Sequence, residues 1–142
     1  MPKSTLFSND MVKLIFNATA IANLADNTAT SPATSLTVAL HTADPGVAGT
    51  QLTSEASYGG PYARIGVARP AGWTVSGSTG TVSPAAPITF AACTSGSATV
   101  THFSIGTGTS NKMLYFGTVS PSITVNTGVT PILTAASTVT EA

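Results

Sequence analysis

His41 and Asp44 stand three residues apart, separated by Thr42 and Ala43, in a chain where serines are abundant. A serine nucleophile, a histidine base and an acid that orients the base would make an acyl-transfer site. That chemistry also needs a sharp turn to present the nucleophile, and no Gly-x-Ser-x-Gly sequence occurs. Asp44-Pro45-Gly46 instead reads as a turn that Asp44 initiates, with His41 hydrogen-bonded into the same turn. A metal site would have to draw on His41, Asp44, Glu55 and His102. Their spacings lack paired patterns such as Cys-x-x-Cys or His-x-x-x-His, so neither a metal nor another cofactor is expected. Cys93 is the single cysteine and can form no disulfide within the chain; a buried, inert thiol is expected.

Arg64 and Arg69 bracket one predicted strand. Their odd spacing points them to opposite faces, so they do not form one patch. One is expected to pair with Glu55 or Asp44 and the other to contact a partner chain, which makes both candidate interface or register residues. Tyr58 and Tyr62 flank Gly59-Gly60-Pro61 and are the other interface candidates. They are also the one aromatic pair suited to a sugar platform, although acidic partners are scarce. Trp73 follows Pro70-Ala71-Gly72 and reads as a core anchor. No phosphate loop or dinucleotide fingerprint is present, and no enzyme activity is expected.

The 142 residues include only five basic and five acidic side chains, while serine and threonine together number about 40. Between Pro70 and Thr140 the one charged side chain is Lys112. A soluble domain usually has about a quarter of its residues charged. Net charge is zero, which argues against a nucleic-acid partner, and no polybasic cluster offers a membrane surface a hold. Such a surface carries little repulsion between neighbouring copies and suits a protein packed against other protein. The apolar stretch after Lys3 is interrupted by Asp10, Lys13 and Asn17, so a signal peptide is not expected. No run of apolar residues is long enough to span a membrane.

These residues must be held by a β-rich frame with one helix. Ser8 is a candidate N-cap, Phe7 and Val12 a hydrophobic staple, and Asp10 would face the positive end of the helix dipole. Met11, Leu14, Ile15, Ala18, Ile21 and Ala22 fall on one stripe, and Asn27 and Pro32 signal the stop, so a helix over about 9–26 is predicted. Leu36, Val38 and Leu40 then alternate with Thr37, Ala39 and His41, the period of a half-buried strand. Thr42–Gly60 is a long turn-rich loop of the kind that serves as an interaction arm. Strands are predicted at 62–69, 73–76, 81–83, 88–91, 98–106, 113–119, 122–125 and 132–140, with a turn over Gly77-Ser78-Thr79-Gly80. Short strands with turns every 8–12 residues predict an antiparallel β-sandwich, jelly-roll-like, with one N-terminal α-helix. A single domain over 1–142 is expected, the sandwich occupying about 35–140.

Several segments in order resemble a group of small tailed-bacteriophage virion proteins. They are Phe7-Ser8-Asn9, Leu40-His41-Thr42-Ala43-Asp44-Pro45-Gly46, Tyr62-Ala63-Arg64-Ile65-Gly66-Val67, Trp73, Val100-Thr101-His102-Phe103 and Val129-Thr130-Pro131. The resemblance implies a structural place in the virion and supplies no catalytic residues. The expected role is capsid decoration: a cement protein, as a homo-oligomer with a trimer favoured, touching the major capsid protein or other virion proteins after assembly in the host cytoplasm. A tail-associated or receptor-binding, tail-fibre-like module is the alternative.

Overall fold

A computed structural model of the protein describes residues 4–21, 33–76, 79–108 and 111–141. Among these are one helix, α1 (Thr5–Asn17), and nine strands. The strands are β1 (Ser35–His41), β2 (Ile65–Ala68), β3 (Trp73–Val75), β4 (Thr81–Pro84), β5 (Ile88–Thr89), β6 (Ser97–Gly106), β7 (Met113–Asn126), β8 (Ile132–Leu133) and β9 (Val139–Thr140). The strands form a four-stranded sheet ordered β2-β1-β6-β7, a three-stranded sheet ordered β3-β4-β9, and the pair β5-β8. The fold is therefore mainly β with antiparallel pairing and one helix. The sheets are open, and the sandwich or jelly-roll closure expected from strand spacing does not appear in their order.

The chain divides into two compact units, the first drawn from Met1–Ser35, Val67–Pro87 and Thr134–Ala142, the second from Leu36–Gly66 and Ile88–Leu133. In the first unit, α1 packs on β3 and β4. Its N-cap is Ser4, whose Oγ accepts the Phe7 N–H at 3.2 Å, rather than the expected Ser8. Ser8 lies inside the helix, its N–H bonded to Ser4 O at 3.0 Å, because Ser4 offers the same hydroxyl one turn earlier. Phe7 is likewise inside the helix, three residues past the cap, and so is not in the position before the cap that a staple uses. The helix stops at Asn17, short of the expected end. Ala18 turns into the left-handed region with φ 56°, and the N–H groups of Ala18 and Thr19 both fold back to Lys13 O. The expected continuation to Asp26 and the stop signals at Asn27 and Pro32 fall on residues 22–32, outside the described residues, as do Gly77 and Ser78 of the predicted turn. The buried stripe is also rotated: Ser8, Asn9, Val12 and Phe16 are buried, whereas Met11, Leu14 and Ile15 are half-buried. Phe16 meets the buried Trp73 edge to face, ring centroids 4.8 Å apart, so Trp73 is the core anchor its sequence context implied.

The second unit is organised by β1 and β6, paired antiparallel from Thr37↔Gly106 to His41↔His102. The expected alternation in β1 fails beyond Thr37. Val38, Ala39, Leu40 and His41 are all buried, because β1 is an inner strand and the Thr42–Gly60 segment folds back over it. The strand predicted at 62–69 narrows to Ile65–Ala68, and the one at 132–140 breaks into β8 and β9. The predicted strands at 113–119 and 122–125 are one long element, β7, paired to β6.

Candidate functional site

Thr37, Ala39 and His41 share one face of β1 with Ser104 and Gly106 of the register-paired β6. This face carries polar groups, and Gln51 is laid onto it. Gln51 Nε2 donates to Thr37 O at 3.0 Å and Ser104 Oγ at 3.4 Å, and its Oε1 accepts from Thr37 Oγ1 at 2.9 Å. Gly106 makes the room: a Cβ there would run into the Gln51 side chain and Lys112 O. Gln51 is thereby fully buried although it sits in a turn-rich loop.

Arg64, just before β2, forms the charged half of the site. Its Nε and Nη2 donate to Glu55 Oε1 and Oε2 at 2.8 and 2.7 Å, a two-pronged pair, with side chains only 17% and 16% exposed. Its Nη1 donates to Asn111 Oδ1 at 2.8 Å. Asn111 sits in the β6–β7 turn with φ 54°, a conformation asparagine tolerates, and its carbonyl accepts the Gln51 N–H at 3.0 Å. Tyr62 completes the ring, its hydroxyl donating to Glu55 Oε1 at 3.2 Å and accepting the Leu40 N–H at 3.0 Å. Burial, foremost, pushes the Tyr62 hydroxyl far above its ordinary range. Glu55 pairing with Arg64 raises the guanidinium further above its ordinary value.

His41 lies beside this clasp. Its Nδ1 meets Thr53 O at 2.8 Å and its Nε2 meets Ser104 Oγ at 2.7 Å. A carbonyl only accepts, so Nδ1 carries the proton and Nε2 accepts from Ser104. Burial lowers the pKa of His41 and favours this neutral form. The Ser104–His41 geometry is that of a nucleophile and its base. Both side chains, however, have 0% exposure, and the second histidine nitrogen is held by a backbone carbonyl where a hydrolase uses a carboxylate. The arrangement joins strand, loop and turn.

The other sequence candidates are placed as follows. Arg69 belongs to the first unit, where Nη2 donates to Leu14 O at the end of α1 and Nη1 to Ala33 O, both at 2.7 Å. Both bonds tie Arg69 to its own unit. Tyr58 is 6% exposed, donates to Ala91 O at 2.9 Å and meets Tyr62 edge to face at 5.2 Å. Tyr62 lies parallel to Phe90 at 6.2 Å. Tyr58 is thus buried, and Tyr62 is half-buried against both rings. Asp44 caps its own turn, accepting the Gly46 N–H at 2.8 Å. Cys93 is buried, with its thiol against Ser95 O. His102 is half-buried and bonds Thr101 Oγ1 at 2.9 Å. Among the described residues no three His, Cys, Asp or Glu side chains converge. Gln51, Ser104 and Asn111 escaped the sequence reading. Gln51 is the only glutamine in the chain, and that singularity was the available signal.

What the clasp holds out is apolar. The Thr42–Gly60 loop turns back at Gly46–Gly49, leaving Val47 94% and Leu52 61% exposed.

A family model described as Podophage GP4 fiber I protein gp80 matches residues 3–141. No curated protein matches the chain.

Proposed function

Because the chain belongs to the podophage GP4 fiber I protein gp80 family, and so to the structural proteins of a tailed-phage virion, we propose that it serves as a fibre-type subunit held in the particle by protein–protein contacts. The family match over nearly the whole chain carries this reading. The clasp supports it: the loop that bears Val47 and Leu52 is pinned from within by Gln51, Glu55 and Arg64, and a fixed apolar tip is suited to seat against a neighbouring virion protein. On this reading the protein turns over no substrate, needs no cofactor and is assembled into particles in the host cytoplasm.

Capsid decoration is the second reading. It is favoured by the 13-residue length of α1, too short for a coiled-coil stalk, and by the lack of any repeat at fixed period. Copy number separates the two. Quantitative gel analysis of purified virions is expected to give a few to a few dozen copies per particle for a fibre subunit, whereas hundreds would mean a shell protein. Its absence from washed virions would remove both readings.

A further inference from the structure

His41 is the last residue of β1 and joins that strand to two other segments. On one side it stands in register with His102 of β6, and on the other an isolated bridge pairs it with Glu55 of the Thr42–Gly60 loop. Its ring ties the loop to the sheet: Nδ1–H donates to Thr53 O at 2.8 Å, and Nε2 accepts from Ser104 Oγ at 2.7 Å. The loop is also held by Gln51, by the Arg64 pair on Glu55, and by the Ala56 N–H on Leu40 O at 2.7 Å. Among these ties, His41 supplies the group that changes charge near neutrality.

The surroundings of the ring suit its neutral form alone. Nδ1 already carries a proton, so a second one must go to Nε2, which faces the Ser104 hydroxyl. Ser104 Oγ would then have to turn from donor to acceptor, and Gln51 Nε2 already donates to that oxygen from 3.4 Å. The Ser104 hydrogen would lose its acceptor at a fully buried position. The new charge would also lack a counter-ion of its own. Glu55, the carboxylate that faces His41, has both oxygens on Arg64 and one of them also on the Tyr62 hydroxyl. Arg64 and His102 are the other groups that act on the ring, and both oppose a positive charge there. An imidazolium at this place is hydrated only once the covering loop lifts.

We propose that His41 is an acid-sensitive latch: uptake of one proton by its ring frees residues 42–54 from β1 and β6, while Glu55 stays on Arg64 and the β1–β6–β7 pairing persists. The release is local because the register of β1 with β6 ends at His41, and the pairs from Thr37 to Leu40 do not use its ring. The freed segment carries Val47 and Leu52, so the latch sets whether that exposed apolar tip is held or loose. It works alike on the head or the tail of the particle.

The test is hydrogen exchange on the purified full chain between about pH 7.5 and pH 5, each rate divided by that of an unstructured peptide at the same pH. The Thr42 and Gln51 amides, bonded to Ser54 O and Asn111 O, report on the loop. Their protection is expected to fall about tenfold, beginning near the ordinary histidine value of about 6.5, through an opening that low urea does not promote. Amides of 100–105 in β6 are expected to stay far better protected and to exchange through urea-dependent global unfolding. His41→Asn is expected to abolish the fall at the loop and His102→Gln to keep it. Unchanged loop protection, a loop that opens only with β6, or a fall that His41→Asn retains or His102→Gln removes overturns the latch. Should His41→Asn fail to fold, the onset in the wild type and in His102→Gln decides. Loosening that starts only at about pH 5 or below belongs to carboxylates and overturns the proposal.

Discussion

The Arg64 guanidinium gives two of its N–H donors to Glu55 and another to Asn111, inside one unit of the fold. Removing it strands a carboxylate whose surroundings were built for an ion pair. Arg64→Met is expected to cost about 3 kcal/mol in urea unfolding. Arg64→Met combined with Glu55→Met is expected to be less destabilised than Arg64→Met alone, since apolar replacement of both partners removes the stranded charge. Equal losses in the single and double variants would mean that the pair is not coupled. His41 supports a pH prediction. Its folded pKa lies below the unfolded value near 6.5, chiefly through burial. The unfolded chain therefore binds the proton first on acidification. The contribution of His41 is full above about pH 6.5 and is lost as the pH falls from there through the folded pKa. The melting temperature of the wild type is expected to drop between pH 7.5 and pH 5, and His41→Asn to flatten that slope. An unchanged slope would show that the histidine titrates alike in both states. Arg64's pairing with Glu55 was among the alternatives the sequence offered. The roles of Gln51, Ser104 and Asn111 were not legible, because amide and hydroxyl side chains acquire meaning only when the backbone brings their partners within 3 Å or so.

At the scale of elements, α1 depends on a narrow contact. Phe16 and Val12 are fully buried and Phe16 packs against Trp73, while Leu6 stays 75% exposed. Phe16→Ala is expected to destabilise by about 3–5 kcal/mol through the cavity it leaves. Trp73 is the only tryptophan, so its fluorescence should shift to the red in the variant. An unmoved emission maximum would mean that α1 does not shield Trp73. The helix was foreseen but displaced by one turn, since Ser4 and Ser8 are equivalent caps by residue type and the choice falls to whichever start buries Val12 and Phe16. Strand positions were mostly legible from threonine and valine runs between glycines and prolines. Their lengths were not. Whether 113–126 is one strand or two depends on a bulge opposite Thr101, which only the register with β6 reveals.

For the whole molecule, low charge is the property with the widest consequence. With ten acidic and basic side chains in 142 residues, and two of them paired in the clasp, few charges remain for contacts with other virion proteins. Retention on particles is therefore expected to change little between low and high salt, because screening acts on charge and leaves apolar burial intact. Washing virions in rising sodium chloride and assaying the released protein checks this, and release at moderate salt would mean that ion pairs hold the subunit. The sequence by itself determined a β-rich chain with one amphipathic helix, a nearly uncharged surface and a virion protein's order of motifs. Composition, period and motif order are properties of the linear chain, and no folding is needed to read them. Only the tertiary structure decided that the sheets stay open, that Tyr58 is buried, that Gln51 locks a loop onto β1, and that 113–126 forms one strand. Each of these depends on which distant segments meet, and burial and hydrogen bonding between residues far apart in sequence are settled by packing.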